Sequence, residues 1–196
     1  MKKILVGVVL LVLGAVPAAN AGDWTGNVNV LLGSKAMEEK DWEPLDEQAE
    51  FAIRVDFRKK EWPVNLAVDL VGSYAEDDGY YLFPGVGPAW ANLELSTAEW
   101  NLGLRKIWEN FPHVRPFLGG GLAIIRAKTE VSALGVSVDR DDTGVGYFLD
   151  GGVFWTLSEH FNLGVDLRYS WAEVSWDNWE GNAGGGHAGI MAGYHW

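Results

Sequence analysis

The residues best equipped for chemistry lie near the C-terminus, where His187 falls one predicted hairpin away from Ser170, with Glu173 and Asp177 between them. An imidazole beside a serine hydroxyl, with an acid behind it, can act as base to a nucleophile. No nucleophile elbow and no lipid A deacylase-like His-Ser motif accompanies the pair, so the chain is read as a non-enzyme. His113, His160 and His195 are scattered without ligand spacing and cysteine is absent, so no metal centre is expected. Gly119-Gly120-Gly121 is followed by no predicted helix and reads as close strand packing, not a phosphate cradle. No cofactor is expected.

Carboxylates offer a second chemistry. Asp139, Asp141 and Asp142, or Glu76, Asp77 and Asp78, are hard oxygen donors of the kind that share divalent cations with anionic headgroups, though solvated loop charge is the plainer account. Trp42, Trp90, Trp176 and Trp179 stand in or beside the same polar stretches, where aromatics anchor a partner or a sugar, or rest at a membrane interface. The formal net charge of −12 disfavours nucleic acid, whose binding needs Lys and Arg to displace counterions.

The elements that must position these groups are strands. Lys2 and Lys3 precede an apolar run from Ile4 to Val16, then Pro17 and Ala18-Ala19-Asn20-Ala21, the order of a signal peptide cleaved after Ala21. Residues 22–196 then form one domain. Alternation of period two marks Asp23 to Gly33, Ala49 to Arg58, Val64 to Ser73, Leu93 to Leu104, Val114 to Ile125, Gly144 to Thr156, Phe161 to Trp171 and His187 to Trp196. Leu93 and Leu95 are out of phase with Ala98, Trp100, Leu102 and Leu104, which predicts a bulge near Ser96-Thr97. The facing of the glycine-rich fifth strand is ambiguous.

Long polar connectors at 35–48, 76–91, 127–143 and 173–184 alternate with tight ones at 59–63, 109–113 and 157–160. That is the pattern of an all-β, eight-stranded antiparallel up-and-down transmembrane barrel with both termini in the periplasm. Charges within the strands, acids Glu50, Asp56, Asp69, Glu99, Asp150 and Asp166 with bases Arg54, Arg58, Arg105, Arg115 and Arg168, are then luminal and form an ion-pair network. Trp24, Trp62, Trp100, Trp108, Trp155, Tyr194 and Trp196 are expected at the periplasmic interface, and Tyr74, Tyr147, Tyr169 and Trp171 at the outer one.

Arg115-Pro116-Phe117-Leu118-Gly119-Gly120-Gly121 and the terminal Tyr194-His195-Trp196, with the eight segments and the leader, resemble the OmpA/OmpX/OmpW group of small outer-membrane barrels. The resemblance implies the outer membrane of a Gram-negative-type cell and insertion by the barrel-assembly machinery through the C-terminal strand. It implies contact with outer-membrane lipid and lipopolysaccharide, and a monomer. The peptidoglycan-binding role of the larger OmpA-type proteins is not expected. The function read from all this is structural or surface-interactive. A narrow porin-like channel is the alternative, and a lipid-remodelling enzyme ranks below it.

Overall fold

A computed structural model describes residues 23–83, 87–110, 113–158, 160–176 and 179–196. The leader expected at 1–21, the turn proline Pro112 and the candidate acid Asp177 lie outside the described residues. The chain runs β1 (Trp24–Ala36), α1 (Glu39–Trp42), β2 (Glu47–Lys59), β3 (Asn65–Phe83), β4 (Gly87–Ile107), β5 (Val114–Ala133), β6 (Val136–Thr156), β7 (Phe161–Trp171), β8 (Glu173–Trp176), β9 (Trp179–Asn182) and β10 (Gly185–His195). Eight of these strands close a ring in the order β1-β10-β7-β6-β5-β4-β3-β2, all antiparallel, with β8 and β9 as a separate hairpin.

Closure follows from pairing the first strand with the last, Asn27 opposite His195 through Ala36 opposite Gly186. The seam is finished by Trp196, whose backbone exchanges hydrogen bonds with Gly26 at 3.1 and 3.2 Å. A Cβ at Gly26 would lie 2.6 Å from the Trp196 indole, so only glycine lets that ring lie flat on the seam.

Alternation sets the two faces. In β7, Asn162, Asp166, Arg168 and Ser170 are buried inside while Phe161, Leu163, Val165, Leu167 and Tyr169 are exposed outside. The fifth strand resolves the same way: Arg115, Phe117, Ala123, Ile125 and Ala127 face in, and Leu118, Leu122 and Ile124 face out. The paired glycines Gly103 and Gly121 let β4 and β5 approach, since a Cβ on Gly121 would sit 2.2 Å from the Leu102 carbonyl oxygen.

Three expectations are corrected. There is no bulge at Ser96-Thr97, because β4 keeps unbroken register with β3 (Tyr74 opposite Ser96, Ser73 opposite Thr97) and with β5 (Ser96 opposite Lys128, Thr97 opposite Ala127). Leu95 shares the inward phase with Thr97 and Glu99, so what changes near Ser96 is the polarity of the interior, not the phase of the strand. Connectors 76–91 and 127–143 are not open loops but ribbons, since β3 to β6 run on for 19 to 21 residues each. The β5–β6 ribbon ends in a two-residue turn with positive φ at both Leu134 (53°) and Gly135 (80°), the twist that antiparallel strands favour. Trp100 is not at the terminus-bearing end. It faces Leu70 and Ile124 in the middle of the apolar exterior, seven residues before β4 ends at Ile107.

Candidate functional site

The interior is built in layers of polar side chains, each delivered by the inward phase of a strand. In the central layer, Arg105 from β4 donates to Asp69 (2.8 Å) and Asp150 (2.7 Å) and lies 3.4 Å from Asp56. Arg54 from β2 reaches Asp150 and Asp166 and lies 3.5 Å from Asp69, and Arg168 from β7 donates to Asp69 at 2.5 Å. Three guanidinium groups thus hold four aspartates, all 6% exposed or less. Phe117 supports the layer, with the Arg54 and Arg105 guanidinium carbons 5.5 and 5.6 Å from its ring centroid, and Arg168 lies 5.3 Å from that of Phe148. Charges taken from water need this many partners, because an isolated buried ion is worth several kcal/mol of penalty, to order of magnitude. A Cβ at Gly119 would fall on the Asp150 carboxylate, so the glycine run makes room for the network.

Towards the end that carries the termini, Asn27 and Asn65 donate to Asp56 and Arg115 donates to Asn162. Arg58, counted among the luminal bases, sits instead at the rim, paired with Glu109 at 3.0 Å and bonded to the Lys60 and Trp62 carbonyls. Trp24 packs edge-on to Trp62 at 5.7 Å at this end, where Trp108, Trp155 and Tyr194 are also exposed. At the opposite side of the apolar band Tyr147 stacks on Trp171 at 5.6 Å, with Tyr169 exposed on the same strand as Trp171 and Tyr74 exposed on β3.

Above the arginine layer, Ser170 and His187 do meet: Ser170 Oγ lies 2.9 Å from His187 Nε2. The acid behind the imidazole is Glu50 from β2, on Nδ1, and not Glu173, which lies in β8. Glu99 also faces the pair, 3.3 Å from Ser170 Oγ and 3.7 Å from His187 Nε2. Lys35, assigned from sequence to the first loop, belongs here because β1 continues to Ala36: its ammonium is buried and donates to Glu99 (2.7 Å), Thr97 (3.1 Å) and the Ala183 carbonyl (2.7 Å). Ser170 is 0% exposed and ringed by charge, so its hydroxyl has no open side from which a substrate could approach.

The last contact leads into the cap. Met37, Trp42 and Leu45 from the β1–β2 connector pack with Leu95, Ile125, Phe148 and Val174 in a buried apolar cluster. Trp42 is therefore core rather than an exposed anchor: it meets Trp179 (5.1 Å) and Trp176 (5.6 Å) edge-on and donates from Nε1 to the Asn182 carbonyl at 2.8 Å. An open cleft of about 440 Å³ remains beside these tryptophans, lined also by Leu93, Val131 and Val138. Trp42→Ala is expected to remove about 3–5 kcal/mol of local packing and to loosen the cap alone. Limited proteolysis should then cut the β1–β2 connector and the β8–β9 hairpin faster, while resistance of the barrel to unheated SDS is unchanged.

The acidic triplets do not converge. Successive strand residues point to opposite faces, so Asp139 and Asp141 face outward beside Lys128 (3.8 Å) and Arg126 (2.7 Å), while Asp142 accepts from the Ser175 backbone NH. Asp77 turns inward to Tyr81, and that hydrogen bond pushes the Tyr81 phenol up to about 12. The hydrogen bond to Glu38 likewise raises the pKa of Lys40 in α1. Among the described residues no group of three His, Cys, Asp or Glu is placed to hold a metal ion.

A polar, ion-paired interior wrapped in a sheet whose outer face is leucine, valine and isoleucine is the inverse of a soluble barrel, and its solvent must be hydrocarbon. Residues 6–196 match the outer membrane protein beta-barrel domain, and the chain belongs to that family. Its fold is similar to that of the outer membrane protein OprG from Pseudomonas aeruginosa (TM-score 0.54, 12% identity, covering 89% of this chain and 95% of that one). It is similar also to Ail, the attachment invasion locus protein of Yersinia pestis, solved with the heparin analogue sucrose octasulfate (0.52, 11%, covering 89% and 99%). Neisserial surface protein A is a third (0.50, 16%, covering 87% and 96%). No curated protein matches the sequence. The chain is thus an outer-membrane protein, and at these identities the structural likeness speaks to fold, not to activity.

Proposed function

We propose that this chain is a sealed barrel that serves as a mount, with its working surface on the four strands β3 to β6 that continue past the bilayer into the exterior. The observation that supports this most is the pairing of a filled lumen with long ribbons: the Arg54–Arg105–Arg168 layer and the tryptophan cap both occupy the interior, while β3 and β4 stay paired to Phe83 and Gly87. The buried setting of Ser170, His187 and Glu50 supports a structural part for them and no enzymatic activity.

In this reading the leader is removed after Ala21 and the barrel-assembly machinery inserts the monomer through β10. The girdles of Trp24, Trp108 and Trp155 and of Tyr169 and Trp171 sit at the two lipid interfaces, with lipopolysaccharide around the outer one. Ail is described with a polyanion. Residues 75–96 and 126–142 of this chain, which form most of the projecting ribbons, hold eight carboxylates against three bases, so a polyanion is a poor fit here.

Planar-bilayer recording tests the reading. A sealed mount passes no resolvable current, whereas discrete ion-selective steps from the wild-type protein would replace it with the porin-like alternative.

A further inference from the structure

The projecting sheet changes character along its length. Just beyond Tyr74 its outer face carries Glu76, Asp78 and Glu94 on one ribbon and Glu130, Asp139 and Asp141 on the other, six carboxylates against the two bases Arg126 and Lys128 that pair with the second ribbon's acids. Beyond that belt charge stops: no Asp, Glu, Lys or Arg occurs from Gly79 to Leu93 or from Val131 to Val138. The ends of the ribbons are instead bare apolar surface, with Tyr80 77%, Leu82 80%, Leu134 73% and Val136 63% exposed, and Trp90 held edge-on to Tyr80 at 5.2 Å. The two ribbons are neighbours in one sheet, Ala91 opposite Ala133.

The protein's own bilayer cannot cover these ends. From Tyr74 to Leu82 the strand climbs about 26 Å at ~3.3 Å per residue, and a tilt of about 40° still leaves them roughly 20 Å above the interface. An exposed apolar surface of this kind marks an interaction site. The β5–β6 end is a two-residue turn at Leu134 and Gly135, too narrow to offer a protein partner a groove, whereas a fluid headgroup layer needs no matching shape. Tyrosine and tryptophan are the side chains that settle at that layer. The ends carry no Lys or Arg to attract anionic lipid, and the belt below them repels it.

We propose that the outer ends of the β3 and β4 strands and of the β5–β6 hairpin dock into an apposed zwitterionic membrane, with the acidic belt rejecting anionic ones. This rests on the reading that these strands project into the exterior. The test uses the full-length protein held in nanodiscs, mixed with phosphatidylcholine vesicles and floated on a density gradient.

Wild-type protein is expected to float with the vesicles. Replacing a fraction of the lipid by phosphatidylglycerol should lower the bound fraction at low salt, with recovery as salt screens the belt. The variant Tyr80→Ser/Leu82→Ser/Trp90→Ser should reduce partitioning by about tenfold or more, since three apolar side chains are withdrawn from the contact. Leu134→Ser/Val136→Ser probes the second ribbon, and both variants, altered only at exposed ends, should keep resistance to unheated SDS.

Wild type left at the bottom of the gradient, variants that float like wild type, or a preference for anionic vesicles would each overturn the proposal. So would discs joined end to end without vesicles, which would give the surface to a second copy. Absence of vesicle binding with a silent planar bilayer removes only the docking, while current in the bilayer strikes at the sealed mount itself.

Discussion

Arg105→Met unfolds the barrel or leaves it marginal, with an expected loss of about 3–5 kcal/mol. The side chain lost is fully buried and touches Asp69, Asp150 and Asp56. Methionine fills much of the volume but leaves Asp69 and Asp150 to Arg54 and Arg168, and Asp56 to the neutral donors Asn27 and Asn65, and removing one partner from a buried ionic cluster costs far more than removing the cluster as a whole. Two results follow: urea unfolding in detergent micelles should shift strongly to lower concentration, and Arg105→Met/Asp150→Asn should recover part of the loss. A shift under about 1 kcal/mol, the scale of a solvent-exposed pair, would mean that water already fills the lumen.

Gly146→Val is expected to be as damaging for a steric reason. A Cβ at that position would stand 1.7 Å from the Trp171 carbonyl oxygen and 3.0 Å from the Ala172 Cα, both backbone, at the point where β7 leaves the barrel wall and the chain turns into β8. Side chains can rotate away from an intruder; a paired carbonyl cannot without opening the ladder. Overpacking of a close-packed site costs about 1–3 kcal/mol and sometimes more, and with backbone as the obstacle the upper end is expected. The fraction of protein that resists unheated SDS should collapse. Gly186→Ala is the control: nothing lies within 4 Å of its added methyl, and a change within about 0.5 kcal/mol is expected.

How far these features could be read from sequence depends on what sits behind each strand. In β7 apolar residues meet lipid and polar ones meet the lumen, so Phe161 to Trp171 is transparent, and so are Arg54, Asp69, Asp150 and Arg168 as inward charges. At Leu93 and Leu95 the rule reverses, because the cap gives the upper interior an apolar filling, so equating apolar with outward predicts a bulge where the strand runs on unbroken. Lys35 is hidden from sequence for a related reason, standing at the edge of a polar stretch although its strand continues to Ala36. Trp100 carries the composition of a girdle residue but not its depth, which only the register with Leu70 and Ile124 fixes. The acid behind His187 comes from a residue 137 positions away, beyond the reach of any spacing argument.

The seam between β1 and β10 has a consequence in time as well as in space. Thr25 Oγ1 donates to the Trp196 carbonyl oxygen at 2.8 Å across 171 residues of chain, and the β1–β10 ladder, from Asn27 opposite His195 to Ala36 opposite Gly186, joins the two ends of the barrel in the same way. Contacts so distant return nothing until the entropy of bringing the ends together has been spent, which makes closure a slow event and places it late. The same barrier acts in reverse, since neither end strand can peel away until the β1–β10 seam has opened. Persistence of the folded barrel is then governed by an escape rate, and its half-life in detergent, more than any equilibrium midpoint, is the quantity by which variants of this protein should be ranked.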